Sequence, residues 1–181
     1  MLSNITPTLA VCIPTYNRAR LLDSLLKQIS DLDEKTRLKI QICVSDNAST
    51  DHTPGVVNKW RKKLGLVTVR QATNIGASKN FQAVAALAAA PRVLLMGDDD
   101  LFSVSGFEKL VSLLETVDLK TWILADIYNQ DGSTLLERFK PGAYTKARFK
   151  KAILVDSLLD VLGFMSMHVI PKKSIEKFWF F

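Results

Sequence analysis

The sequence predicts an open α/β fold: a mainly parallel sheet covered by helices on both faces. Three observations predict it. Short apolar runs alternate along the chain with amphipathic stretches of about ten residues, the signature of βαβ units. The 181 residues are 48% hydrophobic and 23% charged, which suits one globular unit with a proper core rather than two. No internal repeat and no low-complexity linker interrupts the alternation.

In chain order, "LAVCIP" (9 to 14) is an apolar run of strand length, and "ARLLDSLLKQI" (19 to 29) carries its leucines at helical spacing. "LKIQICVS" (38 to 45) is the second strand. A polar turn then leads to the helix "VVNKWRKKL" (56 to 64), with Asp51 as its N-cap and Thr53 and Pro54 entering the first turn. "LVTVR" (66 to 70) is the third strand, "SKNFQAVAALAAA" (78 to 90) a helix, and "RVLLMG" (92 to 97) the fourth strand. "SGFEKLVSLLET" (105 to 116) is a helix and "TWILADI" (121 to 127) a strand. Beyond this core, Asp131-Gly132 marks a hairpin turn. "KKAILVDSLLDVLGF" reads as an amphipathic helix, as does the stretch that follows Pro171.

Composition narrows the function classes. The longest apolar region, 81 to 96, is broken by Pro91 and Arg92, and the N-terminus lacks the basic start of a secretory signal. A cytoplasmic protein without a membrane span is expected. Cys12 and Cys43 sit in separate apolar runs, without zinc-ligand spacing, and are expected to be buried and reduced. The net charge of +6 gathers late, where Phe139, Tyr144 and Phe149 interleave with Lys and Arg. Solvated charge is the plain reading of that segment, and no nucleic-acid partner is expected. A peripheral membrane contact through 138 to 151, or through the aromatic residues Phe178 to Phe181, stays open. His52 and His168 have no partner at triad or metal spacing and are read as structural. There is no Walker A sequence and no G-x-G-x-x-G.

Open α/β sheets bind ligands in the crevice at the carboxyl ends of their strands. Four polar segments follow the four strands: "PTYNR" (14 to 18), "SDNASTD" (45 to 51), "NIGAS" (74 to 78) and "GDDD" (97 to 100). Adjacent carboxylates at Asp98, Asp99 and Asp100 repel one another, and near a protein interior they call for a compensating cation. Mg²⁺ and similar hard ions are held by one or two carboxylates together with substrate phosphates. The plainer alternative is a solvated turn that caps the following helix. Asp46 at the crevice can accept from a base N–H or a ribose hydroxyl, or it can serve an Asx-turn in its own loop. Tyr16 can stack on a base and Arg18 can neutralise a phosphate; ordinary packing and a surface ion pair are the alternatives. Asn74 and Gly76 form a turn into a helix whose N-terminal amides favour anions, with Lys79 close by.

Taken together, "LAVCIPTYNRARLLDSLLKQI", "ICVSDNASTDHT", "NIGASKNFQ" and "VLLMGDDD", in that order and at these separations, resemble the donor-binding half of GT-A glycosyltransferases of family 2. The form of the last two motifs is similar to bacterial enzymes of O-antigen and exopolysaccharide synthesis, the abequosyltransferase-like group among them. The resemblance implies a Rossmann-like GT-A domain, a nucleotide-diphosphate sugar as donor, a glycan or lipid-linked acceptor, and Mn²⁺ or Mg²⁺ as cofactor. It implies that Pro14, Tyr16 and Asp46 surround the nucleoside and that Asp98, Asp99 and Asp100 stand at the family's D-x-D metal motif. With the loop readings above, Arg18, Asn74, Gly76, Lys79, Asp98 and Asp99 are expected on the donor side, and the resemblance implies Asp98 and Asp100 as metal ligands. Two features depart from the pattern. Gly97 stands where the family's segment opens with Asp, and Asn80, Phe81 and Gln82 stand in place of its Ala-Arg-Asn.

The implied chemistry is displacement at the anomeric carbon, with inversion and with a base that deprotonates the acceptor. The family's base lies well downstream of the D-x-D. Asp156 and Asp160 are in range, but their setting is an amphipathic helix and neither is assigned. The chain is expected to divide into a donor-binding half, 1 to 117, and the start of an acceptor-side half, 118 to 181, that is cut short. Two rival readings stand beside the transferase: a nucleotide-sugar-binding remnant without turnover, and a nucleotidyltransferase that releases pyrophosphate.

Overall fold

A computed structural model describes residues 6–124 and 168–178. The elements are β1 (Leu9–Thr15), α1 (Ala19–Ser30), α2 (Glu34–Leu38), β2 (Ile40–Asp46), α3 (Thr53–Leu64) and β3 (Val67–Arg70). They continue as α4 (Ala77–Ala86), β4 (Arg92–Leu95), α5 (Val104–Leu113), β5 (Ile123–Leu124), β6 (His168–Pro171) and α6 (Lys172–Phe178). The described strands form one sheet in the order β3-β2-β1-β4-β6-β5. The pairs β1–β2, β1–β4 and β2–β3 are parallel, whereas β6 runs antiparallel to both of its neighbours. The α/β class and the mainly parallel sheet therefore stand as expected.

Alternation along β1 builds two cores. Leu9, Val11 and Ile13 face one layer, with Ile40, Ile42 and Val44 of β2 beside them. Helix α1 closes that layer with Leu22, Leu25, Leu26 and Ile29, an i, i+3, i+4, i+7 stripe. Val57 and Trp60 of α3 and Phe107 and Val111 of α5 complete it. Each large aliphatic side chain withdrawn in this way contributes roughly 1.5–3 kcal/mol. The other face of the sheet presents small residues, Ala10, Cys12 and Cys43, against Val84 and Ala85 of α4. Their size lets α4 lie close to the sheet, which matters below because α4 carries a buried polar residue to the strand ends.

The structure shifts several boundaries. Helix α2 was not anticipated; Asp33 starts it by accepting from the Thr36 N–H at 2.5 Å. Helix α4 stops at Ala86 rather than at Ala90. Gln41 of β2 takes over its end, donating to the Leu87 carbonyl and accepting from the Ala89 N–H. Asp51 sits one residue ahead of the expected cap position, since His52 borders α3. It still accepts from the Thr53 N–H, and its other oxygen accepts from Ala19 N–H at the start of α1, so one carboxylate serves two helix starts. Gly65, at φ 67°, ends α3 in the left-handed conformation. The strand at 121 to 127 is described as Ile123–Leu124, and β6 was not foreseen as a strand.

No helix among the described residues is long and apolar enough to cross a membrane. The Asp131-Gly132 hairpin, the basic-aromatic segment 138 to 151, Asp156, Asp160 and residues 179–181 lie outside the described residues.

Candidate functional site

Strands β2 and β3 lie on one side of β1 and β4 on the other, so the loops that leave β1 and β4 part at the carboxyl edge of the sheet. Such a reversal of strand order is where open α/β sheets form their ligand crevice. Thr15, the last residue of β1, pairs in register with Asp46, the last residue of β2. Its hydroxyl donates to Asp98 Oδ2 at 2.7 Å. Thr15 thus joins the acidic groups that follow β2 and β4.

The three aspartates after β4 have three different settings. Asp98 is buried, with 5% of its side chain exposed, and it accepts from Thr15 and from Arg18 Nη1 at 3.0 Å. Burial raises its carboxyl above the usual carboxylate range, against the opposing pull of Thr15 and Arg18. Asp99 is half exposed and accepts from the same Arg18 nitrogen at 2.8 Å. Its hydrogen bond to Asp98 and the charges of both carboxylates hold the Arg18 guanidinium still more firmly protonated. Asp100 turns back, and its Oδ2 accepts from the Gly97 N–H at 2.9 Å inside a turn closed by Asp100 N–H to the Gly97 carbonyl. A Cβ at Gly97 would lie 2.6 Å from Asp100 Oδ2 and 2.9 Å from Asp99 Oδ1, so the missing side chain leaves room for two carboxylates. Helix α5 is capped by Ser103, which accepts from Gly106 N–H, and not by the aspartates.

The loops after β1, β2 and β3 are stitched to one another. Asn17, in the left-handed region at φ 53°, accepts from Thr50 N–H, and its own N–H donates to Ser49 Oγ. The Arg18 N–H donates to Thr53 Oγ1. Asn47 donates to Asn74 Oδ1 and accepts from Ile75 N–H, and Asn74 Oδ1 also takes the Gly76 N–H. Beneath them the buried Asn80 of α4 donates to the Ser45 and Thr15 carbonyls and accepts from the Ser45 hydroxyl. The ends of β1 and β2 are therefore pinned from below by one amide.

Asp46 divides its two oxygens. Oδ1 accepts from Ser49 N–H at 2.9 Å, which is the loop role anticipated for it. Oδ2 is buried without a hydrogen bond, with Arg70 Nε as an ion-pair partner at 3.4 Å. A buried carboxylate oxygen left in this state marks a place where a donor from outside can be received.

Of the residues singled out in the sequence, the structure brings Arg18, Asp98 and Asp99 into one cluster and Asn74 and Gly76 into the loop junction with Asn47. Pro14 stands in register with Ser45 at the edge, Tyr16 is 42% exposed beside it, and Lys79 is exposed on the first turn of α4. Sequence reasoning assigned no role to Thr15, Asn47, Arg70 or Asn80. Thr15 had a legible signal, since it closes an alternating strand next to a singled-out tyrosine. The other three act through contacts between segments distant in sequence.

No group of three His, Cys, Asp or Glu side chains among the described residues is gathered to hold a metal ion alone. The donor set nevertheless fits a hard divalent cation that takes part of its shell from phosphate and water. It is all carboxylate, and two carboxylates converge on the space over Gly97.

Comparison with known proteins shows the family and the fold. The Glycosyl transferase family 2 model matches residues 10–177. The abequosyltransferase RfbV of Salmonella typhimurium is 34% identical over 139 residues, 74% of this chain and 39% of that protein. Among solved structures, residues 1–349 of Staphylococcus aureus TarS superpose with a TM-score of 0.73 at 19% identity, over 94% of this chain and 48% of that one. The mannosyltransferase PcManGT of Pyrobaculum calidifontis, solved with GDP-Man and Mn²⁺, superposes at 0.65 and 19% identity, over 96% and 47%. The chain thus spans less than half the length of these relatives. With a family match that runs through nearly every described strand and helix, the chain belongs to glycosyl transferase family 2.

Proposed function

We propose that this chain binds a nucleotide-diphosphate sugar at the carboxyl edge of β1, β2 and β4 and transfers the sugar, with inversion, to a glycan or lipid-linked acceptor of the cell surface. The observation that carries the proposal is the Thr15–Asp98–Arg18 cluster, which sits at the reversal of strand order. The named activities of its relatives support the donor class. TarS has been solved with UDP-GlcNAc and PcManGT with GDP-Man.

In this reading Asp46 Oδ2 receives a donor group of the nucleoside, and Tyr16, exposed at the mouth, offers a face for the base. Pro14 shapes the edge beside them. The turn at Asn74 and Gly76 presents the amides of α4 to the diphosphate, with Lys79 adding charge. Asp98, Asp99 and Asp100 would hold Mn²⁺ or Mg²⁺, which when bound supplies Lewis-acid stabilisation of the departing diphosphate. Asn80 and Thr15 keep the strand ends, and hence these groups, in fixed relation.

Calorimetric titration of UDP, GDP, TDP and CDP, with and without Mn²⁺, tests the site. One nucleotide should bind in a metal-dependent way and lose that binding in Asp100→Ala. Incubation with the matching sugar donor and lipid-linked acceptors then reads the reaction. Release of nucleoside diphosphate supports a transferase, release of pyrophosphate a nucleotidyltransferase, and binding without turnover a donor-binding remnant. Absence of binding by all four nucleotides would overturn the reading of the aspartates.

A further inference from the structure

Arg18 meets its two carboxylates in an unusual way. Guanidinium groups commonly grip a carboxylate with two nitrogens in parallel. Here a single nitrogen, Nη1, touches both Asp98 Oδ1 at 3.0 Å and Asp99 Oδ2 at 2.8 Å. It serves as a point cation between two oxygens of different residues, which is the place a metal ion takes in a carboxylate site. The burial of Asp98 makes such a cation necessary, because an isolated carboxylate at 5% exposure is costly. The Arg18 side chain itself is 47% exposed and comes from the loop between β1 and α1, so it can swing away without disturbing the core.

Resting on the donor-site reading above, we infer that Arg18 is an exchangeable counter-cation. Without nucleotide it neutralises Asp98 and Asp99 and competes with the divalent metal; when the nucleotide arrives, it leaves the aspartates for the diphosphate. Charge arithmetic explains the exchange. Asp98, Asp99 and Asp100 carry three negative charges, which Arg18 cuts to two, and its departure restores the third and strengthens the attraction for a dication. The diphosphate offers Arg18 phosphate oxygens, which guanidinium groups bind well. By linkage, a nucleotide that draws Arg18 off the aspartates must tighten metal binding by the same factor as metal tightens nucleotide binding. The free protein is then protected from holding metal without substrate.

The test is Mn²⁺ affinity, read from the electron paramagnetic resonance signal of free Mn²⁺, with and without the nucleoside diphosphate selected by calorimetry. Wild-type protein should bind Mn²⁺ weakly alone and at least about five-fold more tightly with nucleotide. In Arg18→Gln the affinity for Mn²⁺ alone should rise by a similar factor of about five, while nucleotide binding weakens and the coupling shrinks. A structural role for Arg18 would move Mn²⁺ affinity the opposite way. An Arg18→Gln protein that binds nucleotide yet takes up Mn²⁺ alone no better than wild type would sink the inference and leave the donor site standing. Wild-type protein that binds no nucleotide at any Mn²⁺ concentration would remove both. Should Arg18→Gln fail to fold, the Nε resonance of Arg18 in the wild-type protein decides. It should shift on addition of nucleotide with Mg²⁺, and a resonance that stays in place overturns the exchange.

Discussion

The Thr15 hydroxyl and the Asp98 carboxylate, 83 positions apart in the chain, meet at 2.7 Å where the sheet reverses its strand order. The bond is charge-assisted and buried. Thr15→Val keeps the shape and removes the donor, so it should cost about 1.5–3 kcal/mol in urea unfolding at neutral pH. A loss within the error of the wild-type value would show that Asp98 does not depend on Thr15.

Asp98 also sets a pH dependence. Its pKa is raised by burial, so the folded state holds the proton more tightly than the unfolded chain does. Its stabilising contribution is complete below the ordinary aspartate pKa and is lost as pH rises through the higher native value. Asp98→Asn should abolish that slope, melt higher than wild type at neutral pH and lose metal-dependent nucleotide binding. Thermal melts of both proteins across the acid-to-neutral range check it; a less stable variant at neutral pH would mean that Arg18 and Thr15 outweigh burial.

Asn80 is the amide that pins β1 to β2. Asn80→Ala would leave the Ser45 hydroxyl and the Ser45 and Thr15 carbonyls without that partner in a buried setting. The expected destabilisation is roughly 2–4 kcal/mol, at the upper end for single substitutions. Nucleotide affinity should fall with it, since the strand ends carry Thr15 and Asp46. Unchanged affinity in the folded fraction would confine Asn80 to stability.

Cys12 and Cys43 stand opposite each other on β1 and β2, both fully buried and free. The hydrogen bond with Cys43 and then burial push the Cys12 thiol up, away from the reactive thiolate. A thiol reagent should label neither cysteine in the native protein on the time scale of minutes and both in urea. Fast native labelling would show that the α4 face opens readily.

Much of this architecture was legible because strand and helix periodicities act locally. The alternation in "LAVCIP" and the leucine stripe of α1 name their own buried faces, and the polar segments after each strand gather as the parallel topology requires. The aspartate triplet was visible too, but its division of labour was not. That Asp98 turns to Arg18 depends on packing 80 residues apart in sequence, whereas Asp100 turns back to the Gly97 amide within its own loop. Asn80 was read as a departure from a motif, whereas its position under two strand ends gives it a role of its own. Strand β6 escaped notice because four residues reached from a distant part of the chain carry little periodic signal, and their partner strands, not their own pattern, make them extended.

The position of β6 sets the order of events during synthesis. All four residues of β4 are buried, and one of its edges is covered only when residues 168–171 pair with it. On the ribosome, β1 to β4 emerge first, and that apolar edge waits for some seventy more residues. At about 5–20 residues per second the wait is on the order of ten seconds. During that interval the nascent chain presents a sticky strand, and chaperone capture or strand-to-strand aggregation competes with completion of the sheet.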